Sequence, residues 1–234
     1  MKPKNTDWQE RAKKTVAKAA VKHVKSGSVI GLGSGTTVAY AIEELGKKNL
    51  EILAVPSSHQ AFLLATKNHI RITTLDEHPR LDMTIDGADQ VEIKTLNMIK
   101  GMGGALVREK IVATSSKENI IIIDKTKLTR KLGTGQPVPV EVLPFALAMV
   151  TTHLQMLKGR PHLREGTGKI GPLVTDNGNF ILDTDFGAIK DAEKLNTQIK
   201  SIPGVVETGL FLNVATMVYV GTEGKVEKLT KAQR

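Results

Sequence analysis

Residues 28–45 read SVIGLGSGTTVAYAIEEL, and this stretch decides the fold class. It opens as a short apolar run suited to a buried strand and passes through a glycine-rich turn, Gly31-Leu32-Gly33-Ser34-Gly35-Thr36-Thr37. A helical segment follows, with Val38, Ile42 and Leu45 marking its core side. A strand that hands over to a helix through glycines presents free backbone N–H groups and a positive helix end to an anion. A P-loop requires Lys where Thr36 stands. A dinucleotide fingerprint requires Gly at 36 and an acidic residue after the next strand, where Val55-Pro56-Ser57 stands instead. Nicotinamide binding therefore fails twice, while Ser34, Thr36 and Thr37 still offer hydroxyls suited to a monophosphate.

Upstream, Trp8, Ala12, Val16, Ala19, Ala20, His23 and Val24 recur at spacings of three and four, which predicts an amphipathic helix ending near Ser26-Gly27. Downstream the alternation continues: strand EILAV, helix SSHQAFLLATKN, strands IRITT and LDMTI, an irregular DGADQVEIKTLN stretch, a helix around GALVREKIVATSS and strand NIIII. This order predicts an α/β fold, Rossmann-like, with a mainly parallel sheet and helices on both faces. After Asp124 the texture changes to the Pro, Gly and charge of KTKLTRKLGTGQPVPVEVLP. FALAMVTTHLQML then reads as a helix, LVTDNGNFILD as a hairpin turning at Asn177-Gly178, and AIKDAEKLNTQIKSI as a helix. The expected division is a Rossmann-like catalytic domain from residues 1–129 and 207–234, and a smaller α+β (ferredoxin-like) subdomain from 130–206. GLFLNVATMVYVG is expected to return a strand to the first sheet.

At 234 residues, with 40% apolar and 24% charged side chains, the composition is that of a folded protein with a substantial core. The chain contains no cysteine, which excludes thiol nucleophiles, redox CxxC chemistry and Cys zinc sites and favours a reducing cytosol. No signal-like or membrane-spanning apolar stretch is found, so a soluble, cytoplasmic protein is expected. Lys plus Arg exceed Asp plus Glu by 33 to 24, a formal charge of +9 that suits an anionic partner. Aromatic residues amount to only 3% and no long basic run occurs, which argues against nucleic acid.

Two further motifs carry chemistry. Asp86-Gly87-Ala88-Asp89 directly follows the LDMTI strand, and ligands of open α/β sheets bind beyond the carboxyl ends of strands. Paired carboxylates there can divide proton-donor and proton-acceptor roles. Lys100-Gly101-Met102-Gly103-Gly104-Ala105 then leads into a helix, its glycines exposing N–H groups and Lys100 adding a cation where an oxyanion could be held. On that helix Glu109 falls between Val112 and Ala113 on the helical wheel, and a carboxylate with apolar flanks is a better general base near neutrality than a solvated one. Each motif alone also has an ordinary structural explanation: a capped turn, an Asx-turn, a solvent-facing Glu. The six histidines include no HxH, HxxxH or HExxH arrangement, so no metal site is expected. Lys127, just past NIIIID, is another candidate anion contact.

Taken in order, GLGSGTT, IDGADQ, IKGMGGALVREKIV, IIIDKTKLTRKLG, PVEVLP, VTDNGNFILD and IPGVVETGLF closely resemble segments of the type A ribose-5-phosphate isomerases, across essentially the whole chain. Departures are mild. Ser34-Gly35-Thr36-Thr37 stands where that family usually has Thr-Gly-Ser-Thr, Met102 takes a position often Gly or Arg, and Lys125 makes the second position of a DxSK-like segment basic. The resemblance implies a cofactor-free aldose–ketose isomerase of the pentose phosphate pathway, with Glu109 as the base that moves a proton between C2 and C1 through an ene-diolate. It further implies that Asp86 and Asp89 assist ring opening, and that Lys100 and the N–H groups of Gly101, Met102 and Gly103 hold the anionic oxygens. Ser34, Gly35, Thr36, Thr37 and Lys127 would hold the phosphate or distal hydroxyls, with Gly87 and Ala88 beside the sugar and Lys13 a weaker phosphate candidate. A homodimer or homotetramer follows from the likeness as well. The rival from another class is a sugar-phosphate-sensing effector domain, but only about 30 residues precede the first glycine-rich loop, one helix rather than a DNA-reading module. A sugar-phosphate lactonase or amino-sugar deaminase matches the motif series less well.

Overall fold

The computed structural model describes residues 7–166, 168 and 170–230. Residues 1–6 and 231–234, which the expected division places in the first domain, lie outside the described residues. The chain opens with α1 (Asp7–Val21), which buries Ala12, Val16, Ala17 and Ala20 on one stripe. β1 (Val29–Leu32) feeds α2 (Thr36–Gly46), and β2 (Leu53–Pro56) feeds α3 (His59–Lys67). Next come β3 (Arg71–Ile72), β4 (Leu81–Asp86), β5 (Gln90–Glu92), β6 (Met98–Ile99), α4 (Leu106–Thr114), β7 (Ser116–Asp124) and β8 (Leu128–Thr129). The remainder forms β9 (Val138–Val142), α5 (Leu147–Met156), β10 (Arg160–Leu163), β11 (Phe180–Asp185), α6 (Ala192–Lys200), β12 (Val205–Thr208), β13 (Leu210–Phe211), β14 (Met217–Gly221) and β15 (Val226–Thr230). Among the described residues no helix is long and apolar enough to cross a membrane.

The chain divides into two compact units, the first made of residues up to Ala88, Arg108–Leu128 and those from Val214 onward. Its sheet runs β15-β14-β7-β4-β1-β2-β3. Every pair is parallel except β14 with β15. The parallel strands thus follow the doubly-wound order, with the direction of winding reversing between β1 and β4. Ile120, Ile121, Ile122 and Ile123 of β7 are all buried, as a strand covered on both faces requires. α1, α2 and α3 pack with Ile30, Leu32, Ala54, Met83 and Ile85. Val112 of α4 instead joins Val55 and Val29, each one residue out of phase with Ala54 and Ile30, so α4 covers the opposite face.

The second unit holds Asp89–Val107 and Thr129–Asn213. From β9 to β12 its elements run β-α-β-β-α-β, and the antiparallel sheet order is β10-β11-β9-β12, the ferredoxin-like arrangement. Val140, Val142, Val150, Leu154, Leu182, Ile199 and Ile202 form its core. Residues 89–107 fall with this unit rather than with the first, and the return to the first comes at 214 rather than 207, for a visible reason. β6 pairs antiparallel with both β5 and β13, and the Gln90 side chain bonds the backbone at Gly133 and Thr134. The stretch read as irregular therefore contains β5, and GLFLNVATMVYVG splits into β13 and β14.

The expected hairpin at Asn177-Gly178 is corrected. The turn exists, with Gly178 at φ +80° and its N–H donating to Thr175 O, but no strand precedes it to pair with β11. That place belongs to β10, which pairs Leu163 with Leu182. What shapes the turn is Glu141 of β9, fully buried, whose Oε1 accepts from Thr175 Oγ1 at 3.0 Å, Asn177 Nδ2 at 2.9 Å and Asn179 Nδ2 at 2.9 Å. One carboxyl oxygen thus gathers the side chains that an ordinary hairpin would leave to solvent. Glu141→Ala strands these donors and is expected to lower unfolding free energy by about 3 kcal/mol in urea titrations. An unchanged midpoint would show that the turn holds itself.

Candidate active site

Ligands of doubly-wound sheets bind at the carboxyl edge where the strand order reverses. In the first unit that edge carries the glycine-rich turn after β1 and Asp86 at the end of β4, since Leu32 is in register with Ile85. Gly33 is required there: a Cβ on it would stand 1.9 Å from Asp86 Oδ1. Asp86 is buried, and Oδ1 accepts the N–H groups of Gly87 at 2.7 Å and Ser34 at 3.3 Å, tying the carboxylate to the turn. Gly31 is equally constrained, because its Cβ would meet Thr84 Oγ1 and Val112 Cγ1, both at 2.3 Å.

Gly35 is the N-cap of α2 at φ +109°, a conformation open to glycine, and no side chain caps that helix end. The Gly35 N–H itself donates to Gln60 Oε1 at 2.9 Å. Ser34 Oγ donates to Ser58 Oγ at 2.6 Å and lies 3.1 Å from Ser57 Oγ. Ser57 and Ser58, just past β2, and Gln60, in the first turn of α3, thus brace the turn, a role the sequence alone did not give them. The available signal was the β1–β2 pairing, which aligns Leu32 with Pro56 and so places the next residues side by side.

Lys13 reaches the start of α2 beside the glycine-rich turn, which its place in the sequence does not suggest. It lies on the core-facing stripe of α1, 6% exposed, and its ammonium donates to Thr36 Oγ1 at 3.2 Å. Glu10 stands 3.7 Å from the same ammonium and also accepts the Tyr40 hydroxyl proton. This bond to a carboxylate, with burial second, raises the Tyr40 pKa from 10.0 to about 12. Lys127 closes the 3-10 turn after β7, half-buried, and Asp124 holds that turn by accepting the Thr126 N–H at 2.9 Å. Glu109, on α4, is 5% exposed, and Leu106, Val112 and Ala113 on the same helix are buried with it.

The second unit carries the other charged groups. Asp89 accepts the Met102 N–H on Oδ2 at 2.9 Å, while its own N–H donates to Ile99 O. Lys100 is 3% exposed, its N–H donates to Gly209 O at 2.9 Å, and its ammonium lies 5.3 Å from the Phe211 ring centre. Gly209 is needed for that approach, since a Cβ there would stand 2.3 Å from Lys100 O. Gly101 and Gly104 take positive φ and close a turn through the Gly104 N–H to Gly101 O. Met102 and Gly103, at its tip, are exposed. Gly87 and Ala88 alone separate the two aspartates, and two residues after Gly104 α4 begins.

A doubly-wound domain with hydroxyls, amides and a buried cation at its switch point is a sugar- or nucleotide-phosphate binder by class, and the nucleotide fingerprints are lacking. The sequence model described as ribose 5-phosphate isomerase A (phosphoriboisomerase A) matches residues 53–225. The chain is 45% identical to ribose-5-phosphate isomerase A of Methanosarcina acetivorans over 99% of both chains. It superposes on the Methanocaldococcus jannaschii enzyme with TM-score 0.92 at 44% identity, covering 95% of this chain and all of that one. A second solved D-ribose-5-phosphate isomerase, in complex with phospho-erythronic acid, gives TM-score 0.92 at 42% identity over 95% and 99% of the two chains. The chain belongs to the ribose 5-phosphate isomerase A family, and its reaction is the interconversion of D-ribose 5-phosphate and D-ribulose 5-phosphate.

Two outcomes follow from the first unit's geometry. Gly33→Ala should be destabilised by about 1–3 kcal/mol through overpacking against Asp86. A thermal midpoint equal to the parent's would mean that the β1 and β4 ends separate freely. Because the folded pKa of Tyr40 is raised, its contribution to stability is complete below pH 10 and fades as pH rises towards 12. Phenolate absorbance should therefore show a late-titrating component that Tyr40→Phe removes, and its presence in that variant would refute the Glu10 bond.

Proposed function

We propose that Glu109 is the base of the isomerisation. It takes the proton from C2 of the open-chain aldose, leaving an ene-diolate, and returns it to C1, while the hydroxyl proton passes from O2 to O1. The observation that carries this reading is a glutamate only 5% exposed on the helix that the Lys100–Gly104 loop feeds directly. A carboxylate withdrawn from water keeps its basicity for the substrate, and positioned general bases contribute about 10² to 10⁴ in rate.

Removal of a proton beside a carbonyl also requires that the developing charge be held, and losing one oxyanion donor typically costs roughly 3 kcal/mol. Lys100 and the amides of Gly101, Met102 and Gly103 take that role. Asp86 and Asp89 open the ring and manage the hydroxyl protons, with Gly87 and Ala88 lining the sugar. Ser34, Gly35, Thr36 and Thr37, with Lys13 and Lys127, hold the phosphate and distal hydroxyls, so that remote binding energy orients the reacting carbons. The relative solved with phospho-erythronic acid supports this division, because a phosphorylated sugar acid combines a phosphate with a planar anionic pair of oxygens. Action without metal or organic cofactor in the cytoplasm, as a homodimer or homotetramer, belongs to the same reading and rests on the family likeness.

Glu109→Gln should lower kcat by at least about 10² while phospho-erythronic acid still binds in calorimetry. The variant should also retain deuterium placed at C2 of ribose 5-phosphate. Exchange of that label at the parental rate would remove Glu109 from the proton transfer.

A further inference from the structure

Arg164, immediately after β10, is an almost buried guanidinium whose every bond can be traced within the second unit. Its Nε donates to Asp183 Oδ2 at 2.8 Å and its Nη2 to Asp183 Oδ1, a forked ion pair on the neighbouring strand β11. The remaining nitrogen, Nη1, donates to Gly101 O at 2.8 Å and to Met102 O at 3.1 Å. The backbone is pinned on both sides, since the Arg164 N–H donates to Ile181 O and the Leu173 N–H donates to Arg164 O. Those two neighbours also support the far end of the loop: a Cβ on Gly104 would lie 3.4 Å from Leu173 Cδ2 and 3.7 Å from Ile181 Cδ1.

The consequence follows from peptide planarity. In a trans peptide the carbonyl of one residue and the N–H of the next point in opposite directions on one rigid plane. Drawing the Gly101 carbonyl towards Arg164 therefore turns the Met102 N–H the other way, and that N–H is the one donating to Asp89 Oδ2. Drawing the Met102 carbonyl to the same nitrogen turns the Gly103 N–H likewise. A glycine-rich turn has wide backbone freedom, so without an external hold its amides would sample many directions. We propose that Arg164, aimed by Asp183, is the positioning residue that orients the Lys100–Gly104 amides and, through Met102, the Asp89 carboxylate. The proposal rests on the loop's role as holder of the reacting oxygens. Lysine cannot replace it, because a single ammonium cannot fork onto a carboxylate and still reach two carbonyls.

The test compares Arg164→Lys, Arg164→Ala and Asp183→Asn with Lys100→Ala and the parent, assayed on ribose 5-phosphate at a temperature where circular dichroism shows each variant folded. Misplacement of a catalytic group can cost up to about 10² in rate. Arg164→Lys and Asp183→Asn should each lose about tenfold in kcat, and Arg164→Ala about 10², with KM within about threefold of the parent's. Affinity for phospho-erythronic acid should fall in step with kcat, and guanidinium ion below denaturing concentration should restore part of the Arg164→Ala rate without affecting Arg164→Lys. A merely structural residue would give losses that track the folded fraction, with no rescue. That pattern, or a parental kcat in Arg164→Lys, overturns the proposal. Lys100→Ala separates the levels: slow turnover there beside a fast Arg164→Lys sinks the positioning role alone, whereas parental turnover in Lys100→Ala sinks the loop's role and this proposal with it.

Discussion

The contact between the Gly33 backbone and the Asp86 carboxylate is the constraint that sets the switch-point edge of the first unit. Two parallel strands end side by side, and the usual Cβ between them is replaced by an anion that accepts the Ser34 N–H. The glycine-rich turn and the carboxylate, proposed to bind an anion and to handle protons respectively, are thereby locked to each other at the edge where the winding reverses. Ser57 and Ser58 then steady Ser34 from the next strand, so the turn is held from both neighbours. Glycine at 31 extends the same logic one layer deeper, letting α4 settle against β1 through Val112.

The charges are organised by partnership rather than by number. A formal +9 describes the whole chain, but two of the cations proposed for the site are individually withdrawn from water: Lys13 and Lys100 are 6% and 3% exposed. Burying an ammonium is unfavourable unless something compensates it. For Lys13 the compensation is Glu10, itself engaged by Tyr40; for Lys100 it includes the face of Phe211. A cation already stripped of most solvent interacts more strongly with an anion than one at an open surface.

Much of this was legible in the sequence, for a definite reason. Glycine turns at strand ends, the DGAD turn and the KGMGGA loop are local patterns, and local backbone requirements leave a local signature. Lys13 shows where legibility fades: it sits in phase with Ala17, Ala20 and Val24, but a charged residue on an apolar stripe reads as an interruption. Asn177-Gly178 shows the opposite failure, since its turn chemistry was right while its strand partner was not; Glu141, remote along the chain, replaces the ladder. Arg164 had no signature at all. Its partners Gly101 and Met102 lie more than sixty positions away, and only the fold brings them together.

The sheet order carries an implication for biosynthesis. The ferredoxin-like block closes entirely from β9 to β12, one uninterrupted run of chain, whereas the parallel sheet remains missing the strand beyond β7 until residues 217–221 have emerged. A nascent polypeptide leaving the ribosome can therefore finish the later-encoded block while the earlier-encoded one still exposes an open edge at β7, a strand carrying four consecutive isoleucines, and an uncovered apolar edge of this kind is prone to aggregate. Shielding of that edge during translation is the demand this connectivity places on the cell.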